Sequence, residues 1–182
     1  IGKMGPIVAA LEDFDRDVLR RRQHPLVGPA SQHCALINGG TGLSTYADRC
    51  TLMIERRTLP GEDAESVLAE LRDVIARTGE PADVRCILAR PPLTCDRDDA
   101  IAAHVRQAAH KVSGRLPEEA GVAYWMDAAL FAAAGISTVN YGPDGAGAHE
   151  AVEWVDIDSV AQCAAVLAEA AKGFFAGEQP SQ

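Results

Sequence analysis

The chain predicts an α+β sandwich, with helices on one face of an antiparallel sheet, followed by a second segment of helices and loops. Three observations carry this. The first half orders its elements helix, strand, strand, helix, strand, a pattern that suits a two-layer sandwich. Arg90, Pro91 and Pro92 punctuate the chain where that order ends. Beyond them, helical stretches flank a β-rich run over 136–141 that feeds a glycine-rich loop over 142–147.

Each element has its own pattern. Met4, Ile7, Val8, Leu11 and Val18 recur at three-to-four spacing and predict a helix over 4–22. Pro6 falls in its first turn, where a missing N–H is tolerated. Arg20, Arg21 and Arg22 read as solvated charges that suit the negative end of the helix dipole. Residues 24–29 form a turn-rich connector. A strand follows over 32–38, then a turn at Asn38, Gly39 and Gly40, then a strand over 49–59. In the second strand Cys50, Leu52 and Ile54 alternate with Thr51, Met53 and Glu55, which gives one apolar face. A helix over 64–78 places Val67, Leu68, Leu71, Val74 and Ile75 on one side, and Gly79 suits its C-cap. A third strand is expected over 82–88.

In the second half a helix runs from the acids at 96–99 to about Val112, with Ile101, Val105, Ala108 and Ala109 inward. His104 and His110 lie on it six apart and share no face. Asp127 is expected to cap a short helix over 128–134 that Gly135 ends. Asp156 or Asp158 starts the last helix, whose expected buried stripe is Val160, Cys163, Ala164, Leu167 and Ala171.

Composition narrows the function. The chain has 182 residues, 47% hydrophobic and 24% charged, ordinary for a globular protein and enough for one medium or two small domains. Its net charge of −9 argues against nucleic acid as a partner, since phosphate binding needs clustered Lys and Arg. The five cysteines are odd in number and form no Cys-x-x-Cys. Buried free thiols in a reducing cytosol account for them better than a disulfide framework or a thiolate zinc site. No signal-peptide pattern and no membrane-length apolar run is present. The expected location is therefore cytoplasmic, with no membrane partner.

Two candidate site groups stand out. His149 follows the glycine-rich loop and can act as a metal ligand, as an acid/base group or as a surface histidine. Arg56 and Arg57 are adjacent on a strand, so they point to opposite faces and only one can serve a given site.

The segments Tyr124-Trp-Met-Asp-Ala-Ala-Leu-Phe-Ala-Ala-Ala-Gly-Ile-Ser-Thr-Val, Gly142-Pro-Asp-Gly-Ala-Gly-Ala-His-Glu and Glu153-Trp-Val-Asp-Ile-Asp together resemble the C-terminal end of the M20 metallopeptidase family. That family includes aminoacylases, acetylornithine and succinyl-diaminopimelate deacylases and glutamate carboxypeptidases. Ser137 stands where the family usually has proline, and Trp154 where it has tyrosine. Earlier, Asn38-Gly-Gly-Thr-Gly, Asp48-Arg-Cys and Arg56-Arg-Thr-Leu-Pro-Gly-Glu resemble the family's smaller lid, or dimerisation, domain.

The resemblance implies a ferredoxin-like lid over 1–89 joined to the C-terminal part of an α/β zinc-peptidase-like catalytic domain over 90–182. The lid's first strand is expected upstream of Ile1, and the open sheet edge favours homodimerisation. The resemblance makes His149 the metal ligand. It makes Arg57 the arginine that grips a substrate carboxylate and Gly142 and Gly145 part of the turn whose N–H groups meet that carboxylate. Asp144 is an extra acid in that turn, and Ser44 stands where relatives often carry a carbonyl-holding asparagine. Zinc, as one or two ions, is the implied cofactor, with cobalt an alternative.

No His-x-Asp occurs in the chain, and its only Glu-Glu, at 118–119, follows the lid. The general-base glutamate and the other ligands are thus expected outside this segment. The implied reaction is metal-assisted hydrolysis of an amide bond in an N-acyl amino acid or small peptide, and the 182 residues alone are expected to be inactive. The alternative from another class is a non-catalytic dimerisation or binding module, without metal, in which His149 is structural.

Overall fold

A computed structural model describes residues 1–148 and 150–177. The chain divides into two compact units. One comprises residues 1–92 with 120–125, the other 93–119 with 126 onward.

In the first unit, helix α1 spans Met4–Asp17. It ends earlier than its apolar spacing predicts, and a single 3-10 turn, Leu19–Arg21, follows. The reason is Asp15, which faces inward and is buried. Its carboxylate accepts from the Gln32 backbone N–H at 2.7 Å and from Arg20 Nε at 2.9 Å. The basic run is therefore not simply solvated: Arg20 folds back onto Asp15, and Arg22 pairs with Glu62 at 2.9 Å and Glu70 at 2.6 Å. The connector contains two short paired strands, β1 (Gln23–His24) and β2 (Gly28–Pro29).

Strands β3 (Ser31–Gly39) and β4 (Cys50–Arg57) form an antiparallel hairpin with an irregularity at Ala35. Its connection is the longer loop 40–49, rather than a tight turn at Gly40. Helix α2, Ala64–Ala76, starts with a capping box. Asp63 accepts from Ser66 N, while Ser66 Oγ accepts from Asp63 N. Both helices cover one face of the hairpin. Ile7, Leu11, Leu71, Val74 and Ile75 form the core, joined by Cys34, Leu52, Ile54, Val67 and Val84.

The expected third strand over 82–88 does not form. An extended segment becomes a strand only when its N–H and C=O groups meet a neighbouring backbone. Among the described residues β4 pairs with β3 alone. Val84 reaches the core and its carbonyl faces Arg72 Nη2 at 3.5 Å, but Ile87 and Leu88 are exposed. Cys86 is exposed too, against the expectation of a buried thiol, and all five cysteines are free.

In the second unit α3 (Ala100–Ser113) starts at Asp99, whose carboxylate accepts from Ile101 N, and stops at Gly114 in left-handed geometry (φ +74°). Helix α4 covers Ala128–Ala133. Asp127 precedes it in helical geometry without a side-chain cap, so that expectation fails; only its carbonyl accepts, from Leu130 N. The run 136–141 is not a strand. Its apolar residues Val139 and Tyr141 pack on the α3/α5 core instead of joining a ladder.

Helix α5, Ile157–Ala176, is capped by Asp156, which accepts from Ser159 N at 2.7 Å. Its buried stripe is Cys163, Val166 and Ala170, of which Val166 and Ala170 pack against Val105, Ala108 and Ala109 of α3. Val160, Ala164, Leu167 and Ala171 of the expected stripe are exposed. The helix has two apolar sides, and α3 covers the other one.

Candidate functional site

The two arginines of β4 separate as strand periodicity requires. Arg56 points to the helix layer, where its side chain is 6% exposed. Its Nη2 donates to Glu62 at 2.7 Å and Glu70 at 3.3 Å, and Arg22 pairs with the same two acids. Burial opposes ionisation of Glu62. The Leu59 N–H at 2.9 Å, Arg56 and Arg22 outweigh it, and its carboxyl is held below the usual range. Glu70 first and then Glu62, with burial opposing, raise the Arg22 pKa. Arg56 is thereby a structural residue. Its Nε and Nη1 have no partner among the described residues, and neither does Oε1 of Gln32, its neighbour across the ladder.

Arg57 lies on the opposite, solvent-facing side. Its Nε pairs with Glu55 Oε1 at 2.8 Å, and its Nη1 donates to the Ala123 carbonyl at 3.2 Å. The second Nη1 hydrogen and both on Nη2 remain for a ligand, enough for a two-pronged grip on a carboxylate. Ala123 belongs to the 120–125 segment, which is fixed on this unit. Trp125 Nε1 donates to Pro91 O at 3.2 Å, and Arg90 sits 4.6 Å from the Trp125 ring centroid. A Cβ on Gly121 would come within 2.7 Å of Leu26 and Val27, so only glycine allows this approach.

The glycine-rich loop lies in the other unit. Its Gly145 and Ala146 form β5, paired antiparallel with β6, Trp154–Val155. Gly145 is thus explained by close packing, because a Cβ there would lie 2.5 Å from Trp154 O. Gly147, at φ +77°, meets Val152 O in the same way. Gly142 has open space around it and no such constraint. Asp144 is turned into the hairpin: its N–H donates to Ser159 Oγ at 2.9 Å, and its carbonyl accepts from Asp156 N at 2.9 Å. These bonds lock the loop to the start of α5.

His149 falls in sequence between β5 and β6 and lies outside the described residues. Among the described residues, no group of three or more His, Cys, Asp or Glu side chains is placed to hold a metal ion. They do not by themselves make a ligand set. His104 is buried edge-on against Phe174, with ring centroids 5.5 Å apart, which is a packing role. No helix among the described residues is long and apolar enough to cross a membrane. An open groove of about 600 Å³ between α1 and α2 is lined by Ala9, Ala10, Phe14 and Val74 and contains none of the candidate site residues.

Glu55, the Ala123 carbonyl and Ser159 escape the sequence reading. For Glu55 a signal was present: it precedes Arg57 by two residues, so a strand puts both on one face. Ala123 acts through its backbone and leaves no such trace.

The fold resembles that of a solved metallo-carboxypeptidase. The structure is similar to an M20 family metallo-carboxypeptidase, Sso-CP2 from Sulfolobus solfataricus, with a TM-score of 0.61 and 18% identity; the match covers 92% of this chain and 44% of that one. An acetylornithine deacetylase from Myxococcus xanthus is 27% identical over 186 aligned positions, 97% of this chain and 47% of that protein. The profile of peptidase family M20/M25/M40 matches residues 7–173, and the chain belongs to that family. It spans about half the length of these relatives.

Proposed function

We propose that this chain provides the lid and the C-terminal part of the catalytic domain of a metal-dependent hydrolase. The substrate class is an N-acyl amino acid or small peptide, cleaved at an amide bond. The observation that carries this is the similarity to an acetylornithine deacetylase along 97% of the chain, together with an arginine, Arg57, held on the exposed side of the hairpin with donors to spare. In this reading Arg57 grips the substrate carboxylate, and the turn at Gly142 and Gly145 offers backbone N–H groups to it. His149 supplies one ligand to zinc. The general-base glutamate and the remaining ligands come from polypeptide outside the segment, the hairpin domain pairs two copies, and the protein works in the cytoplasm.

The open apolar side of α5 supports the same view. Val160 and Leu167 are 43% and 47% exposed, and a helix that is apolar on two sides belongs inside a larger fold. The test is His149→Ala in the natural protein that carries this chain. Zinc affinity is expected to fall by at least about tenfold, with hydrolysis of N-acetyl amino acids lost and the far-UV circular dichroism unchanged. Unaltered zinc content by elemental analysis would sink the reading.

A further inference from the structure

We propose that Glu55 is a positioning residue that, with the Ala123 carbonyl, presents the Arg57 guanidinium to its ligand. The inference rests on the reading of Arg57 as the carboxylate-gripping arginine.

An arginine side chain on a bare surface loses most of its affinity to rotamer freedom, and a pre-oriented one does not. Arg57 is gripped at two nitrogens by groups from two segments. Glu55 Oε1 lies 2.8 Å from Nε, and the Ala123 carbonyl accepts from Nη1 at 3.2 Å. Each clamp is itself held. Glu55 stands opposite His33 on the ladder, with His33 Nε2 3.5 Å from its other oxygen. Ala123 is flanked by Gly121, packed against Leu26 and Val27, and by Trp125, bonded to Pro91. The strand beneath is pinned at the neighbouring position by buried Arg56. That leaves Nη2 and one Nη1 hydrogen of a planar fork for a ligand.

Glu55 also carries a negative charge, which by itself repels a carboxylate. The two effects have opposite signs and make different predictions. If orientation dominates, Glu55→Gln, which keeps the side chain's length and an oxygen beside Nε, rescues what Glu55→Ala loses. If charge dominates, both substitutions tighten binding.

The experiment has two arms. In the 182-residue chain, the ¹⁵N order parameter of Arg57 Nε–H is expected above about 0.8, below about 0.6 in Glu55→Ala, and restored in Glu55→Gln. In the natural protein, Glu55→Ala is expected to raise KM for an N-acetyl amino acid about tenfold with kcat within about twofold, and Glu55→Gln to hold KM within about threefold. An order parameter indifferent to Glu55→Ala, or a KM that falls in it, overturns the positioning role. A KM unmoved in both Glu55→Ala and Arg57→Ala, with the order parameter lost, overturns the carboxylate reading of Arg57 instead.

Discussion

The two units are held together by different means. The first packs two helices on a hairpin and carries a half-buried ion network of Arg22, Arg56, Glu62 and Glu70. The second relies on apolar contact between α3 and α5, and its ion pairs, such as Lys111 with Glu169, lie at the surface. The difference separates polar groups that hold a fold from those that only decorate it. Arg56 must stay paired because its side chain is almost wholly out of water, whereas the Lys111 side chain is 69% exposed.

Substitution sharpens the contrast. Arg56→Ala leaves Glu62 and Glu70 facing each other with only Arg22 between them. We expect a loss of about 3 kcal/mol in unfolding free energy by urea titration. Glu169→Gln in the second unit is expected to leave the urea midpoint unchanged. Equal effects would erase the distinction between the two units.

Much of the first unit was legible because its helices and hairpin are local. Alternation along 50–57 named the inner face, and the same period put Arg56 and Arg57 on opposite sides, as found. The strands expected over 82–88 and 136–141 failed for one shared reason. Both runs have the right residues, but strand formation depends on a neighbouring backbone that a local pattern does not contain. Helix α5 fails differently. Its apolar residues were recognised, but a helix with two apolar sides does not say which one its neighbour takes. Arg57 was legible as one of two alternatives, while the backbone carbonyl that restrains it was not.

The two sides of α5 can be told apart by truncation. Val166→Ala removes two methyl groups from a fully buried position against α3, and we expect a loss of about 2 kcal/mol. Leu167→Ala, one residue on, removes more carbon from the open side and is expected to change the stability of this chain by less than about 0.5 kcal/mol. If Leu167→Ala in the natural protein costs as much as Val166→Ala, additional polypeptide covers that side. If it costs nothing there either, the open side faces solvent and the proposal of a larger catalytic domain weakens.

Acid is the mildest probe of the contrast, and it bears on the first unit through Glu62. Its pKa is held down in the folded state, against burial, by the Leu59 N–H, Arg56 and Arg22. A carboxylate whose folded pKa lies below its unfolded value, about 4.3 for glutamate, contributes stability that is fully present above that value. The contribution is lost as pH falls through the lower folded value. Melting followed from pH 7 to pH 3 should therefore show the first unit softening below about pH 4.3. Glu62→Gln should be the less stable protein at pH 7, and its gap from wild type should narrow as the pH drops. A gap that stays constant across that range would mean that Glu62 acts through packing and hydrogen bonding alone, and that its charge does not distinguish the ion-locked unit from the apolar one.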